Sequence, residues 1–394
     1  MAARLPWGWA AARNADSGRT YFYNAWRRLS VTLPNRRWDL LAALVAAALL
    51  PCAWLLQNST EPILRSPRSA WSSDGEELLS EFFWRGLGRT HGLKLSVSGS
   101  ADLRTTVQLD HVQLRSKMRR DGYIHLPDLG LDSVSFLASM IDDLELKGLP
   151  AQFILIFDEV WTVVRRAEVA LAPLFGLQSI QDFYVFNVQP GAAGWPIHRD
   201  RSGDDSAASG FTTEKLPLST TVWIALTDAT PLTSCIYCVP AHADANYASQ
   251  AAEDVASEIL AVAHQFITAL PVLQGGILAW SHRLLHWGSA SPPDASSRKA
   301  LAFTMASPGF EEPTLVGTAS HPPTFEARLG LIAYSLVCYH HSQPVPKRIV
   351  PVVLAILRRR QFVEHLSSTA LAADCGGFGF KHNLKLVEES IEET

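Results

Sequence analysis

Histidine and aspartate bind catalytic transition metals through nitrogen and oxygen, and this chain offers them in two short segments. In GAAGWPIHRDRSGDD, His198 and Asp200 stand two residues apart. In a strand, positions i and i+2 point to one face, so an imidazole nitrogen and a carboxylate oxygen would meet the same ion. GGILAWSHRLLHWGSAS supplies a third donor, as His282 or His286. Two histidines and one carboxylate leave open positions on an Fe(II) ion, enough for a bidentate oxo-acid and dioxygen. An H-x-D pair by itself is weak evidence, because many are ordinary surface residues. Arg298 strengthens it. It opens another strand-like segment after His286, and a guanidinium is suited to grip a carboxylate with two parallel hydrogen bonds. The set suggests a dicarboxylate held between metal and arginine.

Other motifs point to less. His282-Arg283-Leu284-Leu285-His286 has the histidine spacing of a zinc protease, but arginine stands where the glutamate base is needed. Cys235 and Cys238 lie three apart in a strand-like segment, which sends them to opposite faces, and no second Cys pair exists. They read as structural. The five cysteines are few, odd in number and scattered, which indicates reduced, mostly buried thiols. His242-x-Asp244 repeats the H-x-D spacing without a partner arginine and reads as a rim or lid.

The elements that must position these residues follow a simple order. LRSKMRRDGYIHLPDL reads as a helix ending at Gly122 and then a strand ending at Pro127. Helical spacing runs from Leu131 to Leu146 and from Phe157 to Leu174. Beyond Gly176, short β-rich segments alternate with turns: FYVFNVQP, STTVWIALTD, SCIYCVP, GGILAW and KALAFTMAS. Helices first and strands afterwards indicate an α+β fold with a mainly β core, a sandwich or barrel carrying a helical layer. Helical spacing returns in FEARLGLIAYSLVCYHH and in IVPVVLAILRRRQFVEHL. The second stretch is either a helix docked on the domain or one lying on a membrane surface.

The N-terminal part differs in character. Seven arginines face one acid, Asp16, in the first 37 residues, and a charge-free run of 17 residues follows, Leu40–Leu56. That run is at the short end of what spans a bilayer, and it reads equally as an Ala-rich helix packed on protein. The chain is therefore expected to be either membrane-anchored or cytoplasmic. Residues 1–37 resemble a WW domain in Leu5-Pro6, Gly8-Trp9, Gly18-Arg19, Tyr21-Phe22-Tyr23-Asn24 and Pro34. The second tryptophan of that family's peptide groove is missing, so the resemblance implies ancestry of fold and little proline-rich peptide binding. Residues 38–57 hold the apolar run, and 58–109, rich in Ser, Arg and Gly, read as a linker with one short amphipathic stretch. The net charge of −4 argues against nucleic acid as partner.

Residues 110–345 resemble the phytanoyl-CoA dioxygenase family in RRDGYIHLPDL, GWPIHRD, TVWIALTDATPLTSCIYCVPAHAD, GGILAWSHRLLHWGS and RKALAFTMAS. The resemblance implies a double-stranded β-helix (jelly roll, cupin-like) with flanking helices, and an enzyme dependent on Fe(II), 2-oxoglutarate and O2. His198 and Asp200 match the family's H-x-D ligands, and His286 matches its distal histidine. Arg298 matches the arginine that binds 2-oxoglutarate, with Ser289 assisting. A carboxylate at Asp200 favours hydroxylation, since related halogenases carry a small residue there. The family's P-G-S-H segment appears here as Pro240-Ala241-His242-Ala243, a departure that concerns loops contacting a small-molecule substrate. Residues 346–394 read as a C-terminal helix and tail. The rival expectation is a catalytically silent, membrane-tethered interaction protein on the same fold.

Overall fold

The computed structural model describes residues 9–13, 20–24 and 29–32, and then 75–392 apart from 97–108, 127–128, 202–209, 249–263, 316–321, 341–342, 373 and 376–377. The chain divides into two compact units, Met1–Pro67 and Arg68–Thr394. In the first unit, β1 (Trp9–Arg13), β2 (Thr20–Asn24) and β3 (Leu29–Thr32) form an antiparallel sheet in that order. Phe22 stands opposite both Ala11 and Val31. The remaining WW-like positions and the apolar run Leu40–Leu56 lie outside the described residues. Among the described residues, no helix is long and apolar enough to cross a membrane.

The second unit is built on two antiparallel sheets. The larger contains β4 (Tyr123–Leu126), β5 (Gln178–Val188), β7 (Ser219–Ala225), β10 (Ile277–Ser281) and β12 (Arg298–Ala306), in the order β4-β10-β7-β12-β5. The smaller contains β6 (Trp195–His198), β8 (Ile236–Val239), β9 (Thr268–Leu270) and β11 (Leu285–Gly288), in the order β6-β11-β8-β9. This is the jelly-roll arrangement that the resemblance implied.

Strand alternation explains why the larger sheet is buried on both sides. Val222, Ile224, Ile277, Ala279, Leu301 and Phe303 join a core shared with the helices. Their neighbours Trp223, Ala225, Leu278, Trp280, Ala300 and Ala302 join a second core with Ile236, Cys238 and Leu270 of the smaller sheet. Each large apolar side chain removed from water contributes about 1.5–3 kcal/mol, so the first core is what holds the helices on. These are α1 (Glu81–Thr90), α2 (His111–Asp121), α3 (Val134–Leu146), α4 (Asp158–Phe175) and α5 (Phe325–Cys338). α2 starts where the Asp110 carboxylate accepts the Gln113 amide at 3.0 Å and stops at Gly122 in the left-handed conformation. α5 is buried along its whole length, so it reads as apolar all round rather than amphipathic.

Three expectations change. Part of the stretch read as a linker, 58–109, is a packed element: Trp84 of α1 is fully buried, stacks on Phe153 at 5.1 Å and donates to the Leu78 carbonyl at 2.8 Å. Its apolar residues are too few for composition to reveal it. The C-terminal part, 346–394, is several helices, including α6 (Val350–Arg358), α7 (Arg360–Val363), α8 (Ser368–Ala372) and α9 (Phe380–Glu392). The basic stretch breaks at extended Arg359, and Val352, Val353 and Ile356 are buried in the helix-side core, which docks α6 on protein. Finally, Cys235 and Cys238 are free and buried, whereas Cys338 is disulfide-bonded. Sequence spacing cannot reveal a pair that only the fold brings together.

Candidate metal and cosubstrate site

His198 ends β6 and His286 lies in β11, directly opposite each other in the antiparallel register. Their ring centroids are 4.3 Å apart. Gly194 allows this approach. It has φ +80°, and a Cβ there would stand 2.5 Å from the carbonyl oxygens of Gly288 and Ser289, so only glycine lets the chain enter β6 this close to β11. Each histidine is oriented by its own backbone. His198 Nδ1 lies 2.8 Å from the Pro196 carbonyl and His286 Nδ1 lies 2.9 Å from the Leu284 carbonyl. A carbonyl can only accept, so both Nδ1 atoms carry the proton and both Nε2 lone pairs are free.

Those lone pairs converge on one atom. Asp200 Oδ1 is 3.4 Å from His198 Nε2 and 3.5 Å from His286 Nε2. All three donor atoms lie within 4.8 Å of one another. The other oxygen, Oδ2, accepts the Thr221 hydroxyl at 2.5 Å and the Trp280 indole N–H at 2.8 Å. Thr221 and Trp280 are themselves a cross-strand pair of the larger sheet. Asp200 therefore faces the histidines of the smaller sheet with one oxygen and is gripped by the larger sheet through the other. Burial pushes the His286 imidazole down to about 4, which keeps it neutral, as a metal ligand must be. The Asp200 carboxyl lies below the usual carboxylate range: burial works to raise it, but the Thr221 hydroxyl and whatever positive charge His286 and His198 carry oppose that rise.

His282, the rival for the third position, is turned elsewhere. Its Nδ1 lies 2.9 Å from the Ser219 carbonyl, and its ring packs near Phe211 and Phe310. His242 sits 3.3 Å from Asp121, and Asp244 pairs with Arg199 at 2.7 Å, so the two residues of the second H-x-D motif face separate partners.

Arg298 opens β12 and shares its inward face with Ala300 and Ala302. Its guanidinium is 1% exposed and lies 5.4 Å from the ring centroids of both Phe186 and Trp223. Among the described residues it has no carboxylate partner. Its Nε and Nη1 have no hydrogen-bond partner, and neither does the indole nitrogen of Trp223 beside it. Leaving buried donors unpaired is costly. Three orphaned donors around a buried cation fit the far carboxylate of a dicarboxylate. Ser289, expected to assist, has its hydroxyl on the Cys235 amide at 3.0 Å. The hydroxyl bonded to Arg298 belongs instead to Ser234, at 3.5 Å, a residue held at φ 111°, where non-glycine residues are rare.

Sequence reading missed Ser234, Thr221 and Trp280. Their roles depend on strand register, and only the tryptophan at the end of the GGILAW strand offered a hint. Trp195 packs against Tyr184 and Phe186 and lies 6.4 Å from the His198 ring. Trp223 is core, and Trp287 stacks on Tyr237 at 5.9 Å.

Two histidines and one carboxylate with open positions form the donor set typical of non-heme Fe(II) oxygenases. Residues 162–300 match the profile of the family described as Phytanoyl-CoA dioxygenase (PhyH). Among solved structures it is similar to AviO1 from Streptomyces viridochromogenes Tue57, with 19% identity over 52% of this chain and 98% of that one, and a TM-score of 0.37. It is similar to SnoN, a non-heme alpha-ketoglutarate-dependent epimerase from nogalamycin biosynthesis, with 18% identity over 54% and 92%, TM-score 0.38. It is also similar to EctD from S. alaskensis, solved with 2-oxoglutarate and 5-hydroxyectoine, with 14% identity over 54% and 83%, TM-score 0.38. A search of curated proteins returned no significant match.

Proposed function

We propose that this protein hydroxylates a small-molecule or lipid-like substrate, using dioxygen and 2-oxoglutarate and releasing succinate and CO2. His198, Asp200 and His286 would hold Fe(II), and Arg298 would hold the far carboxylate of 2-oxoglutarate. The observation that carries this reading is the pairing of three convergent donor atoms with a buried arginine that has no carboxylate partner among the described residues. The iron, when bound, supplies activation of dioxygen coupled to oxidation of the oxo-acid. The chain's own residues orient and exclude. Pro196 and Leu284 carbonyls fix the imidazole tautomers. Thr221 and Trp280 engage one oxygen of Asp200, which favours binding through the other. Arg298 and Trp223 offer donors to the anion, Ser234 accepts from Arg298 while donating to the Ser289 carbonyl, and the aromatic rings of Phe186 and Trp195 keep water from it. A carboxylate at position 200 fills the place a halide would need, which favours oxygenation.

Purified protein given Fe(II) and 2-oxoglutarate without oxygen should develop a visible metal-to-ligand charge-transfer band. His198→Ala should abolish the band. Arg298→Ala should retain iron but weaken 2-oxoglutarate binding by tenfold or more, given about 1.5–3 kcal/mol for a hydrogen-bonded charged group. A wild-type protein that keeps no iron and shows a flat spectrum sinks the reading and leaves a silent scaffold.

A further inference from the structure

The inward face of β5 carries a charge for which the reaction above has no use. Asp182, Tyr184 and Phe186 alternate on that face, while Phe183 and Val185 between them belong to the helix-side core. Tyr184 lies 4.3 Å from Phe186, 5.3 Å from Trp195 and 4.6 Å from Tyr339, measured between ring centroids. The result is a continuous aromatic wall, and Trp195 brings it to the His198 ring. The wall has opposite charges at its ends. At the Phe186 end is the guanidinium of Arg298. At the other end Asp182 Oδ1 accepts the Tyr339 hydroxyl at 3.1 Å, and the carboxylate makes no ion pair among the described residues.

We propose that Asp182, with the ring faces of Tyr184, Trp195 and Tyr339, binds a cationic nitrogen of the substrate, as a protonated amine or a quaternary ammonium. The inference rests on the iron-centre reading for the position of the bond to be oxidised. A sheltered carboxylate attracts a cation directly, and aromatic faces attract it through their quadrupole. Burial raises the Asp182 carboxyl; the Tyr339 hydroxyl and the Arg201 guanidinium oppose that rise, and the Asp200 charge adds to it, so a bound cation would offset the burial and the Asp200 charge. Along β5 Asp182 and Phe186 stand four residues apart, about 14 Å, and Arg298 lies at the Phe186 end, paired with Val188. That is enough to keep the anionic cosubstrate and a cationic substrate at different ends. A purely structural Asp182 would tie the end of α5 to β5 through Tyr339 and show no preference between charged and neutral ligands.

The test uses benzylammonium and its neutral near-isostere benzyl alcohol, titrated at pH 7.5 into the full-length protein with Fe(II) and 2-oxoglutarate under argon. Tryptophan fluorescence reads binding. Wild type is expected to bind benzylammonium at least tenfold tighter than benzyl alcohol. Asp182→Asn should bring the two within twofold while leaving 2-oxoglutarate affinity unchanged, and Asp182→Glu should keep the preference. Equal affinities in wild type, binding of neither probe, or a preference that survives in a folded Asp182→Asn protein overturns the proposal. The wild-type comparison suffices for this if that variant does not fold. The charge-transfer band is recorded in the same samples and on separate aliquots without iron. Its absence counts against the oxygenase reading and not against the probe comparison.

Discussion

At the scale of the residue, Asp200 shows how an ordinary carboxylate becomes a directional one. One oxygen faces the two imidazoles, while the other is held by Thr221 and Trp280. Such outer partners commonly contribute 10- to 100-fold in metal affinity. Trp280→Phe keeps the ring against His286, 4.9 Å away between centroids, and deletes only the N–H. Combined with Thr221→Val it should weaken Fe(II) binding by about tenfold or more, as measured by competition with a chromogenic chelator. An unchanged affinity would show that the carboxylate is oriented by something else. The His198-x-Asp200 pair was legible as a spacing, although Asp200 lies just past the end of β6, and His286 was preferred to His282 only through the family resemblance. Arg298 was legible too, since a basic residue opening an apolar strand is unusual. Trp280 and Thr221 were not, because their bonds to Asp200 reach 80 and 21 residues along the chain. The same holds for Asp182, whose meaning comes from Tyr339, 157 residues away.

At the scale of the element, α1 shows where composition misleads. Its surroundings are polar and read as a linker, yet Trp84 fills the helix-side core between Phe153 and Phe157. Trp84→Ala should cost about 3–5 kcal/mol, the usual loss when a buried large aromatic leaves a cavity. Urea denaturation of the second unit checks this, and a loss below about 1 kcal/mol would mean that α1 is a loosely attached flap. A chain cut at residue 110, where the resemblance begins, should suffer the same loss. The strands, by contrast, were read nearly in place. Alternating apolar residues mark a sheet even when both faces are buried, because turns punctuate it. What alternation left open was which face looks toward the helices and which toward the second sheet, and that choice decides whether Arg298 lines the site.

At the scale of the whole molecule, burial sets a pH response. His125, His282 and His286 are each pushed down to about 4, with burial the first cause. In the unfolded chain such groups titrate near 6.5. Between these values the unfolded state binds more protons, so stability rises with pH. The contribution is fully present above about pH 6.5 and is lost as pH falls toward 4. For metal-free protein, the urea midpoint should be level from pH 8 to 7 and drop progressively from 6.5 to 4.5. A midpoint unchanged down to 4.5 would contradict the buried, neutral state of these rings. The reach of Asp200 from one sheet to the other has a different consequence. Its ligand partners and its hydrogen-bond donors come together only once both sheets have docked face to face. A half-folded chain therefore offers no complete seat for a redox-active ion. If this seat holds iron as proposed, oxidising power would arrive only after the scaffold that must contain it is finished.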